Sequence, residues 1–498
     1  MRIIKNVVIL GGGTAGWISA ALLNKLLPDT VNITLVESDA IATIGVGEAT
    51  IPPIQQLNAV LGIDEAEFLK HTKATMKLAI KFEHWRNIDQ HYFHTFGAPG
   101  KSLPFCLFHH LWLRAKSLGL DMGLWDFDLN YNAAVAGRFS KIQSQDSALE
   151  LPYAYHFDAG LYAKFLRAKA ENAGVKRLEG KVETVQCHSQ TGDIESLTLD
   201  DKRVVSGDLF IDCSGFRSLL LRQETQTGFE DWSHWLPCDR AVAAPSERFD
   251  TTAPYTRSIA HSAGWQWQIP LQHRNGNGVV YSSAHCSFEQ ACSVLEANVG
   301  SKLLHEPREI RFQTGRAKQQ WQRNVIGIGL SSGFVEPLES TSIHLIQSGI
   351  VRLVKLFPHH GVSDALRCEY NRQSQIEFEQ IRDFIILHYH QTERTDSEFW
   401  RDLRSMSVPD SLQRKIALFE ESAAIVREQD DLFAEASWLQ VLLGQGVMPK
   451  DYHATANAMS DSELNQFMRQ VLAVKKQTVF KMPTHDEYIG RLIQSAAA

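Results

Sequence analysis

The run Val7-Val8-Ile9-Leu10-Gly11-Gly12-Gly13-Thr14-Ala15-Gly16-Trp17 decides the fold, because an apolar stretch breaks into glycines and then resumes with helical spacing. It predicts a strand, a tight turn and a helix that runs to Leu27. Gly11, Gly13 and Gly16 fit G-x-G-x-x-G: one for the turn, one to let backbone approach a pyrophosphate, one for close packing of helix on strand. The unpaired N–H groups and positive dipole end of that helix would face phosphates. A second strand, Asn32 to Val36, leads into Glu37, 21 residues past Gly16, where a carboxylate binds ribose hydroxyls. The expectation is an adenine dinucleotide site rather than a bare glycine turn.

Composition narrows the rest. A chain of 498 residues is too long for one simple core, and 44% apolar with 21% charged residues is ordinary for a globular protein. A net charge of −7 and the lack of any Lys/Arg block of five argue against nucleic acid as a partner. Seven cysteines without a C-x-x-C pair suit reduced thiols filling cores in the cytoplasm, not a disulfide frame or a zinc site. The apolar run before Gly11 is too short for a signal peptide, and no membrane span is expected.

Along the chain, Gly45 to Pro53 reads as an extended glycine-rich loop, with Pro52 and Pro53 barring a helix. Leu61 to Thr75 reads as a helix. Met76 to Phe82 alternates as a half-buried strand would, yet Lys70, Lys73, Lys77 and Lys81 fit a solvated helical face equally well. Residues 85–155, rich in aromatics and histidines, look like an insertion that walls a pocket. Ile259 to Pro270 and Trp321 to Leu330 read as single strands, and helices dominate from Ser342 onward. The fold class is therefore α/β: an FAD-binding, Rossmann-like module of flavin monooxygenase type with inserts over 1–350, then a mainly helical module over 351–498. His388 and His390 read as helix-surface residues, and no metal is expected.

Two stretches do not look like scaffold. Ala263-Gly264-Trp265-Gln266-Trp267-Gln268-Ile269-Pro270 puts two indoles on one face of a strand. Ser331 to His344 runs from a strand end through Pro337 into a helix, and Ser340, Thr341 and Ser342 at its start can form an anion-binding nest. With these residues the chain resembles the flavin-dependent halogenases of the tryptophan halogenase family. Gly11 to Trp17, Gly45 to Pro52, Lys77, His94-Thr95-Phe96, Asp212 to Arg217, Gly264 to Pro270 and Phe334 to Thr341 match the family pattern in order. The tryptophan pair before Ile269-Pro270 is its particular mark.

The resemblance implies FADH2-dependent halogenation of an electron-rich, indole-type arene with O2 and bromide or chloride. Reduced FAD would come from a separate flavin reductase, and hypohalous acid would pass through an internal tunnel to a lysine. Lys77 matches that lysine, and Glu339 matches the family's active-site glutamate. Gly12, Thr14, Ala15, Glu37, Glu48, Ala49, Val182, Leu330 and Ile343 are implied FAD contacts beside the glycine turn. Thr341 and Ser342 are implied halide amides, with Ser342 standing where glycine is usual. His94, Phe96, Trp265, Trp267 and Ser340 are implied to line the tunnel or the arene pocket. Only Phe433, Glu435, Ser437 and Trp438 stand where tryptophan-specific relatives clamp the amino acid, so free tryptophan is not the expected substrate. An oxygen-inserting flavin monooxygenase and a non-catalytic flavin-binding protein are the competing classes. The sequence leaves a homodimer open.

Overall fold

The computed structural model describes residues 3–41, 47–144 and 146–495. The chain forms two compact units, each assembled from three segments: 1–74, 157–239 and 310–379 in the first, and 75–156, 240–309 and 380–498 in the second. Sequence reading placed one division at residue 350, whereas the chain passes between the units four times before its last segment. Residues 351–379 fall in the first unit. Among the described residues no helix is long and apolar enough to cross a membrane.

The first unit is built on a sheet ordered Trp321–Gln322, Val325–Gly327, Leu209–Asp212, Asn6–Leu10, Asn32–Glu37, Lys176–Glu179. All neighbours pair in parallel except the first two strands. Val7 to Leu10 are buried, as strands covered on both faces must be. The helix Thr14–Leu26 packs against the helices Ala159–Asn172 and Ser342–Lys355, giving the α/β arrangement expected from the opening motif. Trp321 to Leu330 is not one strand but a hairpin followed by a short 3-10 turn, Gly329–Ser331.

The second unit carries a sheet in which Arg240–Ala243, Asn275–Tyr281, Gly264–Pro270, Tyr255–His261, Ala79–Glu83 and His91–Thr95 follow one another. Ile259 to Pro270 is thus two strands, turning between His261 and Gly264. The alternation at Met76 to Phe82 resolves as strands, Thr75–Lys77 and Ala79–Glu83, and not as a helix with a lysine face. The preceding helix is shorter than expected, Glu65–Thr72, because Asp64 caps its start and Lys73 ends it in the left-handed region. Helices Asp410–Ser422, Glu435–Gly444, Asp461–Phe480 and His485–Ser495 make up most of the C-terminal segment.

Candidate active site

In the first unit the three glycines divide their work as the motif requires. Gly11 has φ +115°, and a Cβ there would lie 2.3 Å from the Cys213 carbonyl oxygen, so a side chain is excluded on both counts. At Gly16 a Cβ would stand 1.8 Å from the Gly11 carbonyl, which makes this the helix-on-strand contact. At Gly13 a Cβ would meet nothing within 4 Å. The open face therefore lies at the glycine that starts the helix, where a pyrophosphate approaches.

Glu37 folds over the same turn. A Cβ on Gly12 would lie 1.3 Å from its Oε2, while its Oε1 accepts a hydrogen bond from Arg177 Nε at 2.6 Å. Asp212, buried, shapes the opposite wall: its oxygens accept from the N–H groups of Ser214 at 2.9 Å and of Leu220 and Leu221 at 2.8 Å. Ser331 Oγ donates to the Asp212 carbonyl, and Ser218 Oγ donates to the Ser331 carbonyl at 2.8 Å, tying this turn to the stretch before the helix Ser342–Lys355. Gly329, at φ +71°, fits between Ala15 and Ile346, with a would-be Cβ 3.0 Å and 3.4 Å from them. The residue before Leu330 thereby meets the dinucleotide helix, and the helix that carries Ile343 packs against it. An open glycine cradle, a helix start and a carboxylate at the turn fit FAD.

The other expected FAD contacts lie in the same unit. Ala49 is buried, and burial pushes the carboxyl of the partly buried Glu48 up to about 7. Gly45 and Val46 lie outside the described residues. Pro52 and Pro53 do not exclude a helix here. They precede the one at Ile54–Val60, whose first turn needs no proline N–H. Val182 packs beside the core under the sheet.

The backbone turns sharply before the helix Ser342–Lys355. Pro337–Glu339 forms a 3-10 turn, Ser340 is left-handed at φ 61°, Thr341 is right-handed, and the helix begins at Ser342. Successive residues of opposite hand bend backbone N–H groups toward one point. Glu339 is 1% exposed, immediately before this bend.

In the second unit Lys77 is fully buried, with Nζ 5.2 Å from the centre of the Phe96 ring. Its backbone is pinned on both sides: the Met76 N–H donates to His485 Nε2 at 3.0 Å, and the Leu78 N–H to the Pro254 carbonyl at 2.8 Å. Since His485 Nε2 accepts, its Nδ1–H donates to the Thr252 carbonyl at 2.8 Å, and the ring is neutral. Burial lowers the His485 pKa to about 4. His156 holds the same tautomer. Thr75 Oγ1 spends its proton on the Pro270 carbonyl at 2.8 Å and so accepts from His156 Nδ1 at 3.1 Å, while Thr256 Oγ1 donates to Nε2 at 2.9 Å. Burial first, then the charge of Lys77, keeps His156 well below the ordinary histidine range. Two histidines beside Lys77 thus stay neutral.

Thr95 fixes the strand that presents His94 and Phe96, its N–H donating to Gln440 Oε1 at 2.9 Å and its hydroxyl to Asp128 at 2.6 Å. His94 faces Phe384 at 5.6 Å and Phe433 at 6.2 Å, and Phe384 stacks on Phe433 at 3.8 Å with Trp438 edge-on at 4.9 Å. The structure thus gathers Phe433 and Trp438 with His94, through Phe384, which nothing in the sequence marks. The two indoles of the Trp265-Gln266-Trp267 strand are 6.3 Å apart and buried. Trp265 packs toward Trp85, and Trp267 lies over Gly278, where any Cβ would collide with it. His388 is not on a helix surface: it is fully buried and hydrogen-bonded to the Tyr92 hydroxyl at 2.7 Å.

A largely parallel sheet with this glycine turn and a distant strand completing it define a dinucleotide-binding enzyme fold of the flavoprotein kind. The model of the tryptophan halogenase family matches residues 6–461, and the chain belongs to that family. It is 36% identical over 444 residues to the tryptophan 7-halogenase RebH of Lentzea aerocolonigenes, covering 85% of this chain and 83% of the relative. Xcc4156, a flavin-dependent halogenase from Xanthomonas campestris, superposes with a TM-score of 0.96 at 47% identity, over 99% of each chain. BrvH, a flavin-dependent halogenase from Brevundimonas sp. BAL3, superposes at 0.95 with 43% identity, over 98% of this chain and 99% of its own. The chain is a flavin-dependent halogenase, an enzyme of FADH2-dependent arene halogenation.

Proposed function

We propose that this enzyme halogenates an indole-type arene carried in a molecule other than free tryptophan, using bromide or chloride and FADH2 from a separate reductase in the cytoplasm. The observation that carries the reading is Lys77: an amine fully buried against an aromatic ring, beside two histidines locked neutral. Reduced FAD, when bound, supplies the electrons with which oxygen and halide yield hypohalous acid. Lys77 then hydrogen-bonds the oxidant's oxygen and gives it a proton, so that water leaves as the arene takes the halogen. Alternatively the neutral amine holds the halogen on nitrogen and passes it to the arene. Glu339 stabilises the cationic ring and accepts the proton it loses. Thr341 and Ser342 supply the backbone N–H groups for the halide, and Ser340 sets their approach.

The aromatic group of Phe384, Phe433 and Trp438 around His94 supports an arene substrate. The test is a panel of indoles, phenols and pyrroles incubated with FAD, a flavin reductase, oxygen and either halide, read by mass spectrometry. Halogenated indoles are expected. Products that carry oxygen in place of halogen would overturn the reading.

A further inference from the structure

The strand His91–Thr95 lies at the edge of its sheet and pairs only with Ala79–Glu83. Thr95 stands opposite Ala79, and the following N–H, of Phe96, donates to the Leu78 carbonyl at 3.1 Å. By the alternation of an antiparallel pair, the N–H and carbonyl of Thr95 itself then point out of the sheet. Thr95 is buried, so both groups need a partner other than water. A single side chain supplies it. Gln440, fully buried on the helix Glu435–Gly444, accepts from the Thr95 N–H through Oε1 at 2.9 Å. Its Nε2 donates to the carbonyls of Thr95 at 3.4 Å and of Gly97 at 3.3 Å. A carboxamide carries an acceptor and two donors at one end, so it stands in for the strand that is missing from this edge. The Thr95 hydroxyl lies 3.1 Å from the same Oε1 but closer to Asp128, at 2.6 Å, and binds there.

This amide joins two elements that carry the aromatic wall. Gly444 lies four residues on, on the same face of the helix, and a Cβ there would stand 2.3 Å from Cδ2 of Tyr92, so the helix lies close against the strand along its length. His94 and Phe96 flank Thr95. The first faces Phe384 and Phe433, and the second has its ring centre 5.2 Å from Lys77 Nζ. Trp438, two residues before Gln440 and so on the far side of the helix, meets Phe384 edge-on at 4.9 Å. Apolar packing between such rings has no directional preference and would let the helix slide along the strand. The hydrogen bonds at Thr95 fix one register. We propose that Gln440 is a positioning residue for halogenation, whose amide sets the Trp438 helix against His94 and Phe96 and thereby sets where the arene stands relative to Lys77, an inference that rests on reading Lys77 and this aromatic group as the halogenation site.

The test compares the full-length wild type with Gln440→Met, which keeps the length of the side chain and offers no N–H donor. Leu295→Ala, a truncation in a separate core cluster, controls for lost stability. Each protein is supplied with FAD, a flavin reductase, oxygen, bromide and indole, with a β-diketone in solution at fixed concentration to trap escaping hypobromous acid. Hydrogen exchange over residues 91–97, read by mass spectrometry, reports on the clamp and should be faster in Gln440→Met alone. The division of bromine between indole and trap reports on positioning. The share reaching indole is expected to fall on the order of 10- to 100-fold in Gln440→Met, with the total bromine transferred unchanged, and to hold in Leu295→Ala. Exchange equal to the wild type in Gln440→Met refutes the clamp. Faster exchange with an unchanged division leaves the amide a purely structural role and overturns the proposal. A wild type that brominates the trap and no indole overturns the site reading beneath it, and the positioning role with it, whatever the exchange shows. Should Gln440→Met fail to fold, Gln440→Asn, which keeps the amide but withdraws it by one methylene, is decided by the same two measurements.

Discussion

Lys77 Nζ lies 5.2 Å from the centre of the Phe96 ring, on a strand whose neighbouring N–H groups are held by His485 and by the Pro254 carbonyl. Such a ring face stabilises a desolvated cation by about 0.5–2 kcal/mol. Lys77→Ala is expected to lower halogenation by at least about 100-fold, the lower range for loss of a positioned proton donor. FAD occupancy should be unchanged, because the glycine turn belongs to the other compact unit. Product formed at the wild-type rate by the FAD-loaded variant would remove Lys77 from the mechanism.

Glu339→Gln keeps the shape of the side chain and loses its charge and its proton-accepting power. Turnover should drop on the order of 100-fold. Glu336 is the natural comparison, three residues earlier, but it is buried too, so both variants need a melting curve alongside the kinetics. If Glu336→Gln, folded, proves the more damaging, the role given to Glu339 is misplaced.

Gly13 and Gly16 differ in what a methyl group would meet, nothing within 4 Å at the first and a carbonyl oxygen at 1.8 Å at the second. Gly16→Ala is expected to destabilise the protein by about 1–3 kcal/mol through overpacking. Gly13→Ala should leave the melting temperature nearly unchanged yet weaken FAD on the order of tenfold, about 1.4 kcal/mol. Equilibrium dialysis with FAD, read beside thermal melts, separates the two. Equal FAD affinity in wild type and Gly13→Ala would mean that the open face at Gly13 is not the cofactor's.

What could be read from sequence was what local rules fix. The glycine turn announces itself because Gly11 and Gly16 answer steric demands within one βαβ unit, whereas the strand at Lys77 carried a period-two pattern and a helical lysine spacing together, and only the structure decides between them. The two misread hairpins lacked their usual marks. Arg323 takes the left-handed conformation at φ 53° where Asn or Gly is customary, so Asn324 alone was left to signal the turn. The neighbours of Lys77 were hidden for another reason. His156 and His485 reach its strand from 81 and 409 residues away, and no periodicity reports a contact across that distance. The interleaved units follow from the same cause, since the sheets are completed by strands far apart in the chain.

His485 gives the Lys77 strand a dependence on pH. Its pKa in the fold is about 4, against 6.5 for an unhindered histidine, so between these values the unfolded chain binds more protons than the folded one. Stability should therefore be complete above pH 6.5 and fall toward pH 4, by about 3 kcal/mol from this residue. Protonation also forces Nε2 to give up the Met76 N–H. Chemical denaturation across this range should show a shallower slope in His485→Gln than in the wild type. An identical slope in the two would assign the acid sensitivity elsewhere.

Ser342 stands at the first position of its helix, after the left-handed Ser340 and the right-handed Thr341. A side chain there narrows the backbone conformations that let the Thr341 and Ser342 N–H groups converge, which glycine would leave open. Chloride, smaller and more strongly hydrated, needs the closer convergence to offset its lost water. Bromination should therefore outpace chlorination at equal halide concentration. Bromide is also the easier ion to oxidise, so the rates alone do not separate site geometry from halide chemistry. Ser342→Gly does. A rise in its chlorination-to-bromination ratio, measured by mass spectrometry in mixed halide, ties the preference to the backbone at residue 342, and an unchanged ratio assigns it to the ions.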